Sequence, residues 1–203
     1  LPSGARFTTL QLHDLGKSSS QAERSAYLRA VRQHLDAKGF KGDVFFYAKD
    51  EPRPEDYPLV LAQSKAVRGA KGVRTLVTSA WEPSLAPAAD ILAPTINCFF
   101  PRSGPQTCKA PMSLAALRRR LGKDARIYWY QSCMSHGCDD GPPATPALAK
   151  AYSGWASYML DHPATLNRAM GPLAYLVGID GELYFNTVQA YNTGDPWEGV
   201  WAF

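Results

Sequence analysis

Residues 43–52 read Asp-Val-Phe-Phe-Tyr-Ala-Lys-Asp-Glu-Pro, an apolar run that ends in two acids and a proline. Its apolar part, 44–47, has the β-branched and aromatic composition of a buried strand. Pro52 has no N–H to donate and favours extended geometry in the residue before it, so the strand is predicted to end at the acids. The two-residue period puts Asp50 on the inner face with the other even-numbered residues and Glu51 on the rim.

The rest of the chain alternates between strand-like and helix-like patterns. A capping box at Ser20 and Glu23 predicts a helix that ends at Gly39. Further strands are predicted over 6–12, 73–79, 91–97 and 126–131. Further helices are predicted over 59–69, 113–121 and 146–161. A final pair of strands is predicted over 173–178 and 182–188. This alternation predicts an α/β fold, a mainly parallel sheet covered by helices, in a single domain over 1–203.

Charge and hydropathy argue against a nucleic-acid-binding protein and against a membrane-spanning one. The net charge of +4 is mild, and the run Arg118–Arg120 lies in a helical pattern rather than in a continuous basic stripe, so no nucleic-acid partner is predicted. No apolar stretch is long enough to span a bilayer. The two ends of the chain have the character of edges cut from something longer.

The four cysteines form two local pairs, Cys98 with Cys108 and Cys133 with Cys138. Two short-range disulfides are the first interpretation, and they imply an oxidising, extracytoplasmic location: secreted, periplasmic or at the cell surface. A zinc site is the sharper alternative, because His136 lies between Cys133 and Cys138, but the spacing fits no standard zinc motif. Reduced thiols are the other alternative. No metal and no cofactor are therefore predicted.

Polar and aromatic side chains recur where the predicted strands end. Besides Asp50 and Glu51, they are Tyr47, Trp81, Asn97, Trp129, Tyr130 and Asn186. Taken one at a time, the acids could cap the next helix and each aromatic ring could pack in the core. Their shared location instead predicts a cleft for a ligand with hydroxyls at its edge and C–H bonds on its face, such as a sugar.

Four motifs, in order along the chain, resemble the catalytic domain of glycoside hydrolase family 123 and the uncharacterised bacterial domains related to it. They are Tyr-Ala-Lys-Asp-Glu-Pro at 47–52, Tyr-Trp-Tyr-Gln-Ser-Cys at 128–133, Gly-Glu-Leu-Tyr-Phe-Asn at 181–186 and Asp-Pro-Trp at 195–197. The resemblance implies a (β/α)₈ TIM-barrel-like fold and an enzyme that removes β-linked N-acetylgalactosamine from glycans. It implies substrate assistance, in which the acetamido oxygen of the sugar attacks the anomeric carbon and configuration is retained.

The resemblance also assigns roles. Asp50 would hold the acetamido N–H and stabilise the oxazolinium-like intermediate, and Glu51 would be the general acid and then the base. Tyr130 is the candidate for the acetamido carbonyl, Trp129 and Trp197 for the ring walls, and Asn186 for a sugar hydroxyl.

One departure from the family concerns the count of strands. The strand at 43–50 resembles the fourth of the barrel, so the first two would lie upstream of Leu1 and the barrel would be incomplete. Such a sheet would expose two parallel edges, so upstream strands or an upstream domain are expected partners. The alternative is a sheet that closes in a different way from the family's barrel. Nothing in the sequence corresponds to the β-sandwich that usually precedes the family's barrel.

Two alternatives stay open beside a β-N-acetylhexosaminidase. One is a non-catalytic carbohydrate-binding or cell-surface domain, which loss of one acid would indicate, whereas both acids are present. The other is a hydrolase on a glycan without an acetamido group. That enzyme would need a second carboxylate near Glu51, which Glu82 or Asp139 could supply.

Overall fold

The computed structural model describes residues 4, 7–16, 19–100, 108, 110–132, 146–147, 154–158 and 163–184. The strands among them are β1 (Thr9–Leu12), β2 (Asp43–Lys49), β3 (Arg74–Thr78), β4 (Ile91–Ala93), β5 (Arg126–Tyr130) and β6 (Gly181–Leu183). The helices are α1 (Gln21–Ala37), α2 (Tyr57–Arg68), α3 (Leu114–Leu121) and α4 (Ala164–Val177), with 3₁₀ turns at Pro54–Asp56 and Ile96–Cys98.

The strands form a six-stranded sheet in chain order, β1-β2-β3-β4-β5-β6. The pairs β1–β2, β2–β3 and β5–β6 are parallel. Parallel neighbours that follow each other in the chain need crossover connections, and the helices supply them. The predicted α/β class with a parallel sheet is confirmed, while the (β/α)₈ barrel, complete or incomplete, stays a prediction.

The chain divides into two compact units. Unit 1 comprises 1–92 and 121–125, and unit 2 comprises 93–120 and 126–203. The prediction of one domain over 1–203 stays a prediction.

Helix α1 of unit 1 begins at the capping box that the sequence predicts. The Ser20 hydroxyl accepts the backbone N–H of Glu23 at 3.2 Å, and the Glu23 carboxylate accepts that of Ser20 at 2.8 Å. These bonds satisfy donors that a helix start otherwise leaves without partners. Leu28 of α1 is fully buried, and Gly39 follows the helix with a φ of +76°, which favours glycine.

An aspartate at or just before a strand fixes its register against the preceding strand in both units. In unit 1, the Asp90 carboxylate accepts the N–H of Thr75 at 2.8 Å, and the N–H of Asp90 donates to the Thr75 carbonyl at 3.1 Å. In unit 2, Asp180 makes the same two bonds with Ile127, at 2.8 and 2.9 Å. Each reciprocal pair satisfies strand-end groups and holds two parallel strands in one register.

The prediction of a strand over 173–178 is wrong, because these residues belong to the end of α4 and to its cap. Met170, Leu173 and Ala174 pack on the core cluster of unit 2, a spacing of three and four residues that is typical of a helix. Gly178, with a φ of +81°, ends the helix by donating its N–H to the Ala174 carbonyl at 3.0 Å. Strand β6 then pairs with β5 rather than with 173–178.

Two further predictions need correction. The strand predicted over 91–97 ends at Ala93, and a 3₁₀ turn takes over at Ile96–Cys98. A long helix was predicted over 146–161. Residues 154–158 are instead bend and irregular structure, whereas residues 146 and 147 are helical. The other residues of that range lie outside the described residues.

The predicted disulfide between Cys98 and Cys108 is confirmed. The second predicted pair, Cys133 and Cys138, and the zinc alternative with His136 lie outside the described residues. Among the residues that the structure describes, no helix is long and apolar enough to cross a bilayer. A disulfide is compatible with an extracytoplasmic location, which stays a prediction.

Candidate active site

The candidate site of unit 1 begins where β2 loses its regular pairing. Tyr47 pairs with Leu76 and Lys49 pairs with Val77, so Ala48 is an extra residue in a β-bulge. A bulge changes which residues share a face. The expectation that Asp50 shares the face of Val44 is therefore wrong, and Asp50 instead lies within reach of the Tyr47 side chain.

Tyr47, Asp50 and Thr78 form a hydrogen-bonded group at the ends of β2 and β3. The Tyr47 hydroxyl donates to Asp50 Oδ1 at 2.6 Å and lies 2.9 Å from Thr78 Oγ1. Thr78 Oγ1 is 3.4 Å from the same Asp50 oxygen. The Tyr47 hydroxyl thus holds Asp50, and the predicted contact of Tyr47 with substrate stays a prediction.

Burial keeps Tyr47 a neutral donor. The side chain is half-buried, and burial, together with the hydrogen bond to Asp50, raises the pKa of the Tyr47 phenol well above its ordinary value. The phenol therefore keeps its proton at physiological pH and can hold the Asp50 carboxylate in one orientation. Asp50 and Glu51 themselves are exposed, so both carboxylates are open to solvent.

Glu51 has an unusual backbone, with a φ of +38°. It is the sole residue other than glycine with a positive φ in the described part of the chain. Its N–H donates to Thr78 Oγ1 at 2.8 Å, and Pro52 after it is buried, so contacts on both sides fix this conformation. Such strain concentrates at functional sites.

Thr78 is the site residue that the sequence analysis missed. Its hydroxyl lies within 3.5 Å of groups from Tyr47, Lys49, Asp50 and Glu51, and its side chain is fully buried. The sequence signal that could have identified Thr78 is its position at the end of β3, the strand that follows β2 in the chain. Parallel neighbours end at the same edge, so a hydroxyl there can reach both acids.

Trp81 and Glu82 follow β3 in unit 1 and are half-buried. The Glu82 carboxylate accepts the backbone N–H of Ser84 at 3.2 Å, which is a local turn contact. Asp139, the other carboxylate considered for a different mechanism, lies outside the described residues. Glu82 thus has a structural partner in its own loop.

Three predicted ligand contacts belong to unit 2 and are buried: Asn97, Trp129 and Tyr130. Trp129 is 0% exposed, and Phe99 and Phe100 pack against its ring at 6.2 and 6.1 Å between centroids. Its ring therefore contributes to the core of unit 2. The remaining predicted contacts, Asn186 and Trp197, lie outside the described residues.

A scan against models of protein families gives no match, and a search of curated proteins gives none either.

Proposed function

We propose that this protein is a glycoside hydrolase that removes β-linked N-acetylhexosamine, of the N-acetylgalactosamine type, by substrate-assisted catalysis with retention of configuration. The observation that carries the proposal is the pair of exposed carboxylates on consecutive residues, Asp50 and Glu51, at the C-terminal end of a parallel strand. In barrel enzymes, catalytic groups lie at this end of the strands. The four ordered motifs that resemble family 123 support the same function.

Asp50 orients the substrate's acetamido group in this proposal. The Tyr47 hydroxyl and the more distant Thr78 hydroxyl both contact Oδ1 of Asp50, which leaves Oδ2 to accept the acetamido N–H. That bond aims the acetamido oxygen at the anomeric carbon, and the charged carboxylate stabilises the positive charge of the cyclic intermediate.

Glu51 transfers the proton. As general acid it protonates the glycosidic oxygen while the leaving sugar departs, and as general base it then takes a proton from the water that opens the intermediate. The strained backbone of Glu51 supports this role. Its N–H is bonded to Thr78 and the next residue, Pro52, is buried, so the backbone of Glu51 is fixed and sets the direction of its side chain. No second protein carboxylate is needed as nucleophile, since the acetamido oxygen takes that part.

The test is a hydrolysis screen of the full-length protein on three aryl substrates: β-N-acetylgalactosaminide, β-N-acetylglucosaminide and β-galactoside. We expect hydrolysis of an acetamido sugar and none of the plain galactoside, because the galactoside lacks the internal nucleophile. Asp50→Asn run in parallel shows that the activity belongs to this protein, because that variant should lose activity whatever the leaving group. Hydrolysis of the galactoside alone would contradict substrate assistance.

A further inference from the structure

A cleft of about 490 Å³ in unit 2 is lined by Tyr158, Glu182 and Tyr184. This volume is within the usual range of small-molecule sites. Glu182 lies on β6, where it pairs with Trp129 of β5, and the sequence analysis gave it no role. The acid therefore projects from a regular strand into a space large enough for a ligand.

Tyr158 is held in place by its neighbours. Its backbone N–H donates to Oε1 of the buried Gln131 at 2.8 Å. The Asn167 side chain donates to the Ser157 carbonyl at 2.6 Å, and Trp155 Nε1 donates to the Phe100 carbonyl at 2.9 Å. Three side-chain bonds thus fix a segment that has no regular secondary structure, which is how a preorganised binding site is supported.

Within the described part of the chain, the Glu182 carboxyl group accepts a hydrogen bond from one side chain, and burial disfavours its charged form. The Tyr158 hydroxyl donates to Glu182 Oε2 at 3.1 Å. Burial raises the pKa of Glu182 above its ordinary value, and burial beside Glu182 raises the pKa of Tyr158 to about 12. A carboxylate can accept about four hydrogen bonds, so this group is suited to accept more from a ligand.

The geometry of the two rings selects the kind of ligand. Tyr158 and Tyr184 meet edge to face, with centroids 5.6 Å apart and planes at 80°. The edge of one ring covers the face of the other. An aromatic cage that binds an ammonium group needs ring faces that converge on the cation, and this pair does not present them. It leaves an apolar ring surface beside a carboxylate, which matches a pyranose with a C–H face and hydroxyls at its edge.

We infer that this cleft binds a sugar ring, with two hydroxyl groups donating to Glu182 and the ring packing on Tyr184. Tyr184 is 37% exposed, so its side chain is accessible to such a ligand. The inference stands on unit 2 alone and does not rest on the proposed hydrolysis by Asp50 and Glu51.

Binding is tested by ligand-observed NMR on the full-length protein that carries Asp50→Asn and Glu51→Gln, which removes both the proposed hydrolysis and the proposed acetamido contact from the measurement. The probes are methyl β-galactoside, methyl β-N-acetylgalactosaminide and tetramethylammonium. We expect binding of at least one glycoside and none of tetramethylammonium. Adding Glu182→Gln should weaken glycoside binding about tenfold or more, because hydrogen bonds to a charged group contribute about 1.5–3 kcal/mol.

The controls separate this site from folding effects and from the site at Asp50. Tyr184→Leu, at an exposed position, should also weaken binding, whereas Glu82→Gln in unit 1 should not change it. Glycoside affinity should fall as the pH falls through the pKa of Glu182, since the protonated acid accepts fewer hydrogen bonds. Affinity unchanged in both Glu182→Gln and Tyr184→Leu, or binding of tetramethylammonium alone, would overturn the inference.

Discussion

Replacement of Glu51 by glycine should leave the protein more stable than replacement by alanine, although both changes remove the proposed general acid. The reason is the φ of +38°, which a residue with a Cβ adopts only with strain and which glycine adopts freely. Left-handed backbone conformations cost a non-glycine residue on the order of 1–2 kcal/mol. Glycine loses about 0.5–1 kcal/mol more conformational freedom on folding than alanine.

The magnitude follows from a comparison of two variants. Glu51→Ala and Glu51→Gly both lack the carboxylate and both retain the N–H that donates to Thr78, so their difference reports the backbone alone. At the midpoints of the two ranges, subtracting glycine's entropy from the released strain leaves Glu51→Gly more stable than Glu51→Ala by about 0.75 kcal/mol. At an ordinary φ the sign would be the opposite, with glycine the less stable by about the same amount.

Urea unfolding, followed by circular dichroism, measures the free energy of unfolding of both variants. Equal slopes against urea would show that the two variants expose the same surface on unfolding. If Glu51→Gly unfolds at lower urea than Glu51→Ala, Glu51 is not held in a strained conformation and the argument for its backbone fails.

Three other predictions concern single groups. Thr78→Val should lower the unfolding free energy by about 0.5–1.5 kcal/mol in the same urea assay, because the Tyr47 hydroxyl and the Glu51 N–H lose the Thr78 hydroxyl as a partner. Thr78→Ser keeps that hydroxyl and should lower the unfolding free energy less. Burial raises the pKa of Glu182, so unfolding free energy should fall as pH rises from the unfolded pKa through the folded one; Glu182→Gln should flatten that dependence. Replacing Cys98 and Cys108 with alanine should lower the unfolding free energy by about 2–3 kcal/mol, whereas no change would contradict a closed bridge.

Much of the fold could be predicted from local sequence signals. The capping box at Ser20 and Glu23 predicts the start of α1, and the apolar runs predict β2, β3 and β5 because these strands are buried on both faces. The end of α4 was missed because 173–178 is rich in aromatic and aliphatic residues, a composition shared by strands and buried helices. The packing of Met170, Leu173 and Ala174 and the cap at Gly178 decide for the helix. The packing depends on tertiary contacts, whereas the cap is a local bond to Ala174.

The site was predicted in part. The acids could be found from Asp50, Glu51 and Pro52 at the end of an apolar run, but the bulge at Ala48 could not, because its signal lies in pairing with another strand. The bulge brings Asp50 to Tyr47, and Thr78 joins them from β3. The two-residue period of a single strand predicts neither the contact of Asp50 with Tyr47 nor the contact of Thr78 with Tyr47.

The most direct test of the proposed mechanism compares two variants on two substrates, an aryl and an alkyl β-N-acetylgalactosaminide. Acid catalysis matters least when the leaving group is already good, so Glu51→Gln should lose far more kcat/KM on the alkyl substrate than on the aryl one. Asp50→Asn should lose activity on both, because orientation of the acetamido group precedes departure of either leaving group. Equal losses for Glu51→Gln on the two substrates, or an unaffected Asp50→Asn, would contradict the account.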